Sequence, residues 1–118
     1  TMQILNEPAL NNGWFIIPDQ RFKKRYRKRY KKIFDMPPSD ISFLSYDAIA
    51  LIGGVLQKNH RQIKTDKFSD KYFLDKNGFI GINGIFRFQT NGTNQRALGI
   101  AEVNSGAFTI INEAKNKF

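Results

Sequence analysis

The chain has 118 residues, enough for one small domain, so we expect residues 1–118 to form a single unit. It contains no cysteine, which excludes disulfides and thiolate metal sites, and no apolar run reaches the roughly 18 residues that a membrane span needs. The net charge is +9, and nine of the nineteen Lys and Arg residues lie between residues 21 and 32, while the other ten balance the ten acids.

The first predicted element is a short strand. Residues 1–13 carry Pro, Asn and Gly and predict an irregular lead-in. The apolar run at residues 14–17 is long enough for one buried strand, and Pro18 ends it. Asp19 follows and is a residue type that caps helices, so we expect it to cap a helix that begins at about residue 20.

A strongly basic helix is predicted over residues 20–34. Phe22, Tyr26 and Tyr30 recur at intervals of four, which places their rings on one helix face. Asp35 and the two prolines after it are expected to end the helix. The nine cations of this stretch, which we call the cationic segment, are Arg21, Lys23, Lys24, Arg25, Arg27, Lys28, Arg29, Lys31 and Lys32.

The cationic segment has three interpretations. Its cations are a solvated helix face, or they hold an anionic membrane or polymer surface, or they track the phosphates of a nucleic acid while the tyrosines stack on bases. Because the aromatic stripe is predicted to face the core, whereas stacking platforms point outward, the solvated face is favoured. The anionic envelope surface comes second, and nucleic acid is the least favoured.

A second helix is predicted over residues 41–57, with Ser39 or Asp40 as its cap. Apolar residues cover most of its circumference, so it must be buried on several sides. A chain this short needs more chain or a second copy to provide that cover, and two copies that exchange helices would form a homodimer. Gly53 and Gly54 each cost about 1 kcal/mol relative to Ala in a helix, so another backbone is expected to pack closely there.

Asp47 and a set of glycines are the next features of interest. An isolated buried carboxylate is too costly, so Asp47 is expected to be hydrogen-bonded or paired, and a structural role is favoured over a ligand or catalytic role. Gly78, Gly81 and Gly84 resemble a phosphate loop in spacing, but a helix is predicted before them and a strand after them, the reverse of a nucleotide-binding loop. They are expected to mark a tight crossing where only glycine fits.

The last part of the chain predicts β-structure. A third short helix is predicted over residues 66–74, ended by Gly78 in a left-handed conformation. The strands at residues 85–88, 97–103 and 107–111 are joined by Asn-Gly and Asn-Ser-Gly turns, which predicts a meander of two antiparallel hairpins.

No catalytic, cofactor or metal site is predicted. His60 is the only histidine and lies in a polar stretch without a partner at metal-ligand spacing, so no Ser/His/Asp or Cys/His set can be assembled. Arg87 and Arg96 are expected to be structural, and Arg87 is expected to pair with an acid such as Asp47 or Glu102, or to be solvated.

Several motifs, taken in order, resemble one family. An F-x-x-x-Y helix follows the Trp-Phe strand, a Phe-Asp-Met-Pro-Pro turn follows the helix, and then come a Tyr-Asp-Ala helix and a G-x-x-G-x-F-R-F hairpin. In this order they resemble the C-terminal portion of the type 1 periplasmic-binding-protein family (Leu/Ile/Val-binding-like), and within it the penicillin-binding protein activator branch. Asp35 stands where the family has glycine. The structural-motif residues are Tyr46, Asp47, Gly81, Gly84 and Arg87.

This resemblance implies an α/β fold, α+β when the segment is taken alone, with about three helices and a C-terminal antiparallel meander. It implies a non-enzymatic protein of the periplasm or cell envelope that needs no cofactor, with a peptidoglycan synthase as partner. The cationic segment adds an anionic envelope surface as the other candidate partner. No signal-peptide pattern opens the chain, so a shortened cytoplasmic product is the alternative location. The alternative function is a small basic nucleic-acid-binding domain that uses residues 21–32.

Overall fold

A computed structural model of the chain describes residues 2–59 and 69–118. The described part is a mixed α/β structure, as predicted. Short 3-10 turns precede the first strand and lie at Asp70–Phe73. The helices and strands are β1 (Trp14–Pro18), α1 (Lys23–Phe34), α2 (Asp40–Asn59), β2 (Phe79–Gly81), β3 (Gly84–Phe88), β4 (Asn94–Arg96), β5 (Leu98–Asn104) and β6 (Ala107–Asn112).

The strands form two separate three-stranded antiparallel sheets, in the orders β1-β5-β6 and β2-β3-β4. The predicted hairpin between residues 85–88 and 97–103 is therefore wrong, because β3 pairs with β4 rather than with β5. The chain leaves the second sheet for the first at Ala97, whose N–H still donates to the carbonyl of Ile85 at 3.1 Å. The predicted hairpin between β5 and β6 is present.

The first sheet is built on β5, whose inward residues Ala101 and Val103 are buried. The lead-in before β1 folds as two 3-10 turns and is docked on this sheet: Leu5 is buried, and the N–H of Asn12 donates to the carbonyl of Val103 at 2.8 Å.

The helix α1 begins at Lys23, three residues later than predicted, and Asp19 does not cap it. The residue at the N-cap position is Phe22, whose side chain makes no capping hydrogen bond. Asp19 instead accepts the backbone N–H of Arg21 at 2.9 Å and forms an ion pair with its guanidinium. At the other end, Asp35 adopts a left-handed conformation with φ 52°, which ends the helix.

The helix α2 is covered on one side only. Phe43, Asp47 and Val55 are buried on that side, and a hydrogen bond from the backbone of Ile82 to Asp47 fastens the helix to the second sheet. A Cβ built on either glycine of the Gly-Gly pair meets no atom within 4 Å in residues 2–59 and 69–118, so the close backbone packing predicted there is not formed within the described part of the chain. Neither α1 nor α2 combines the length and hydropathy that crossing a bilayer requires.

The third predicted helix is not an α-helix where it is described. Residues 66–68 lie outside the described residues, and the rest forms the 3-10 turn at Asp70–Phe73. Ser69 caps this turn by accepting the N–H of Lys71 at 3.4 Å. Gly78 has the expected left-handed conformation, with φ 72°, in the turn that leads into β2.

Candidate functional site

The aromatic face of α1 packs against α2. The ring of Tyr26 lies edge-on to the rings of Phe43 and Tyr46, with both centroid distances at 5.2 Å. Its hydroxyl donates to the carbonyl of Ser42 at 3.4 Å. Tyr26, at the centre of the predicted stripe, therefore faces the protein and is not an outward platform on which bases could stack, whereas Phe22 is 42% exposed.

Two members of the cationic segment are held by the fold. The guanidinium of Arg21 pairs with buried Asp19 and donates to the carbonyl of Ala114 at 3.0 Å. The hydrogen bonds from Arg21 hold the pKa of Asp19 below its usual range. Lys23 is buried with its ammonium 5.4 Å from the centroid of Phe43, and burial lowers the pKa of Lys23. These two cations act within the protein, although the sequence grouped them with the exposed ones.

The other seven cations form an exposed ridge, in which the guanidinium of Arg27 also lies 5.5 Å from the ring centroid of Phe43. None lies within salt-bridge distance of an acidic side chain among the described residues. Several are spaced by three or four residues, and like charges at that spacing destabilise a helix by about 0.2–0.5 kcal/mol per pair. We call this set the cationic ridge: Lys24, Arg25, Arg27, Lys28, Arg29, Lys31 and Lys32. An anionic partner would relieve the repulsion along it.

An open groove of about 900 Å³ runs between α1 and α2. Its walls are mostly apolar, with Ile33 from α1, Ile49 from α2 and Ile80 from β2. Arg25 and Arg29 of the cationic ridge also line it. The groove therefore joins an apolar surface to a positively charged one.

Asp47 lies at the base of this groove and is clamped to the β2–β3 turn. Its Oδ1 accepts the N–H of Ile82 at 2.7 Å, and Gly81 lies so close that a Cβ there would be 2.7 Å from the carboxyl carbon. The other carboxylate oxygen is buried and has no hydrogen-bond partner among the described residues. Nη1 of Arg96 is likewise buried without a hydrogen-bond partner among the described residues. Burial lowers the pKa of Arg96, and the negative charge of Asp47 opposes that shift. The hydrogen bond expected for Asp47 is therefore present. Its partner Ile82 was not predicted, because the two residues are far apart in the chain.

Arg87 makes other contacts than expected. It donates to the side-chain carbonyl of Gln95 at 2.8 Å and to the backbone carbonyl of Lys76 at 2.9 Å. Its guanidinium lies 4.3 Å from the ring centroid of Phe118. The predicted pairing with Asp47 or Glu102 is therefore wrong.

Gly84, like Gly81, lies against an aspartate. It has φ +99°, and a Cβ built on it would lie 2.7 Å from the Cβ of Asp19. A Cβ at Gly78 would lie 2.5 Å from the carbonyl oxygen of Phe86, so the tight crossing predicted at Gly78, Gly81 and Gly84 is present. No three His, Cys, Asp or Glu side chains converge to hold a metal ion within residues 2–59 and 69–118. His60 lies outside the described residues.

The sequence matches no protein-family model, and no curated protein is similar enough to count as a relative. Two solved structures match in fold. One is a putative branched-chain amino acid ABC transporter from Rhodospirillum rubrum, with TM-score 0.79 and 15% identity over 94% of this chain and 34% of that chain. The other is the leucine binding protein LivK from Thermotoga maritima MSB8, with TM-score 0.56 and 16% identity over 92% of this chain and 32% of that one.

The chain has the fold of a segment of a type 1 periplasmic-binding protein. It spans about a third of the length of the two solved proteins. At these identities the likeness extends to the fold alone, so what each solved protein binds is a property of that protein.

Proposed function

We propose that the chain is a non-enzymatic segment of solute-binding type that works in the periplasm or at the cell envelope. The observation that carries this proposal is the fold match over 94% of the chain at TM-score 0.79. Both solved neighbours are named for branched-chain amino acid or leucine binding or transport.

The surface through which this segment acts is, in our proposal, the cationic ridge of α1. Its seven cations form no salt bridge with any described residue, and they lie on a helix whose aromatic face is already occupied by α2. A cation near an anionic membrane contributes about 1 kcal/mol to binding. The ridge therefore suits the phosphate groups of an anionic envelope lipid surface.

Vesicle sedimentation tests this surface. The protein is expected to bind vesicles that contain phosphatidylglycerol and not vesicles of phosphatidylcholine alone, with binding that weakens as salt rises. The triple variant Lys24→Gln, Lys28→Gln and Lys31→Gln should bind about a hundredfold more weakly, from about 1 kcal/mol per cation. The matched control replaces Lys76, Lys115 and Lys117 by Gln. These lysines are exposed on other parts of the chain, and their replacement lowers the net charge by the same amount as the ridge variant.

The control variant should keep most of the binding, because its three lysines lie outside α1. Equal losses in the two variants would show that net charge alone attracts the vesicles, and the ridge proposal would fail. Tight binding to single-stranded DNA or RNA, lost in the ridge variant, would favour the nucleic-acid function instead.

A finer assignment is the penicillin-binding protein activator branch, with a peptidoglycan synthase as partner. Its support is the order of motifs, from the F-x-x-x-Y helix to the G-x-x-G-x-F-R-F hairpin. Surface plasmon resonance against a purified bifunctional peptidoglycan synthase tests it. Saturable binding that survives moderate salt supports this branch, whereas binding that disappears with salt alone points to charge attraction and removes the support.

A further inference from the structure

The side of α2 opposite its buried residues is apolar and open, and its Ile41 and Ile49 also line the groove between α1 and α2. Ile41 and Ile49 are 70% and 72% exposed, and Ile52 and Leu56 are 43% and 42% exposed. Asp47, the one acidic or basic side chain between residues 41 and 57, is buried on the opposite side. We call Ile41, Ile49, Ile52 and Leu56 the open face of α2. It has the charge-depleted, apolar character of an interface core.

The area of the molecule indicates how much cover is missing. The chain has an accessible surface of 9199 Å². A compact monomer of this mass, 13.6 kDa, is expected to expose about 6,600 Å². The excess, on the order of 2,500 Å², is several times the roughly 800 Å² that each partner buries in a stable interface of standard size. This surplus is spread over the whole chain, and the exposed apolar side chains of the open face contribute to it.

We propose that a second copy of this chain covers the open face, with the two α2 helices packed antiparallel across a two-fold axis near Ile49. In this arrangement Ile41 of each copy lies beside Leu56 of the other. In a two-fold interface the same surface faces itself, so a charged residue near the axis would lie beside the same charge on the partner copy and be repelled. The open face carries no charged residue.

Repulsion between the two cationic ridges favours an antiparallel over a parallel arrangement of the two α2 helices. The helix α1 packs on the first turns of α2, where Tyr26 contacts Phe43 and Ser42. A helix of the length of α2 spans about 30 Å, so an antiparallel pair places the two cationic ridges at opposite ends. That separation exceeds the Debye length of about 10 Å at 0.1 M salt, whereas a parallel pair would bring the ridges together.

Light scattering across a concentration series, from about 5 to 300 µM, tests the proposal without any added ligand. The expected mass is about 27 kDa, twice the 13.6 kDa of the chain, with a smaller mass only on dilution. Ile49→Asp should weaken the dimer by on the order of a hundredfold or more, because both copies carry the charge at the axis. Ile16→Asp is the matched control: Ile16 is 71% exposed on β1, away from α2, and its variant should remain a dimer.

A second measurement does not depend on destabilising the interface. The chain has no cysteine, so Ile49→Cys introduces a single thiol next to the proposed axis. Under mild oxidation it should form a disulfide-linked dimer much faster than Ile16→Cys. A mass of 13.6 kDa throughout the series, or equal crosslinking by both variants, would overturn the proposal and leave the open face to a different polypeptide. Neither measurement uses vesicles, so the outcome is separate from that of the proposed function.

Discussion

The contact between Gly81 and Asp47 makes one substitution informative about the whole fold. A Cβ at position 81 would lie 2.7 Å from the carboxyl carbon of Asp47 and 2.9 Å from its Oδ1. The carboxylate would have to move, and Oδ1 would lose the N–H of Ile82, a bond of a kind that contributes about 1.5–3 kcal/mol. With the added cost of a buried carboxylate left without that donor, we expect Gly81→Ala to lower the free energy of unfolding by about 2–4 kcal/mol.

Urea denaturation followed by circular dichroism, at one fixed protein concentration, measures this loss. Gly54→Ala is the matched control, since its Cβ meets no atom within 4 Å and it lies inside α2, and it should raise stability by about 0.5–1 kcal/mol. The same Gly81→Ala change in an Asp47→Ala background should cost less than about 1 kcal/mol, because the obstructing carboxylate is gone. An equal cost in the two backgrounds would refute the clamp as the cause.

Three further substitutions test other parts of the chain. Asp35→Gly should raise the free energy of unfolding by about 0.5–1 kcal/mol, because glycine adopts φ 52° without strain; a loss of stability in urea denaturation would contradict this. Arg21 holds the pKa of Asp19 below its ordinary value of about 3.9, so the stability from this pair is present above that pH and is lost as the pH falls through the lowered pKa. Arg21→Gln should therefore cost stability at neutral pH and little at pH 2, and an equal loss at both would exclude the charge linkage. Lys28→Glu should stabilise α1 by about 1 kcal/mol in low salt, because it replaces repulsion by attraction along the cationic ridge, and the gain should shrink as salt rises in thermal melts.

The sequence predicted the elements whose patterns are strong. The apolar run predicted β1, and the four-residue aromatic spacing predicted α1; both elements lie within a few residues of their predicted bounds. The burial predicted for β1 is wrong, because Trp14 and Ile16 are exposed and only Ile17 of the run is buried. The excess of apolar residues on α2 also predicted the lack of cover that its open face shows.

The remaining features depend on contacts that no local pattern encodes. The strand β4 consists of Asn94, Gln95 and Arg96, so it has no apolar alternation to reveal it, and β3 was assigned to the wrong partner as a result. Asp19 is a residue type that caps helices, but its carboxylate accepts hydrogen bonds from the backbone and the guanidinium of Arg21 instead of from the helix. The Gly53-Gly54 pair was read as a contact, yet it lies open in this chain.

The separation of the strands into two sheets has a consequence for how the molecule unfolds. The first sheet gathers its own buried cluster around Ala101 and Val103, and the second gathers another around Ile85 and Phe86. Cooperative, all-or-none melting depends on a core shared by all elements, whereas clusters divided in this way can open as separate units. Damage to one cluster is then expected to lower the hydrogen-exchange protection of its own backbone amides more than that of the amides in the other cluster.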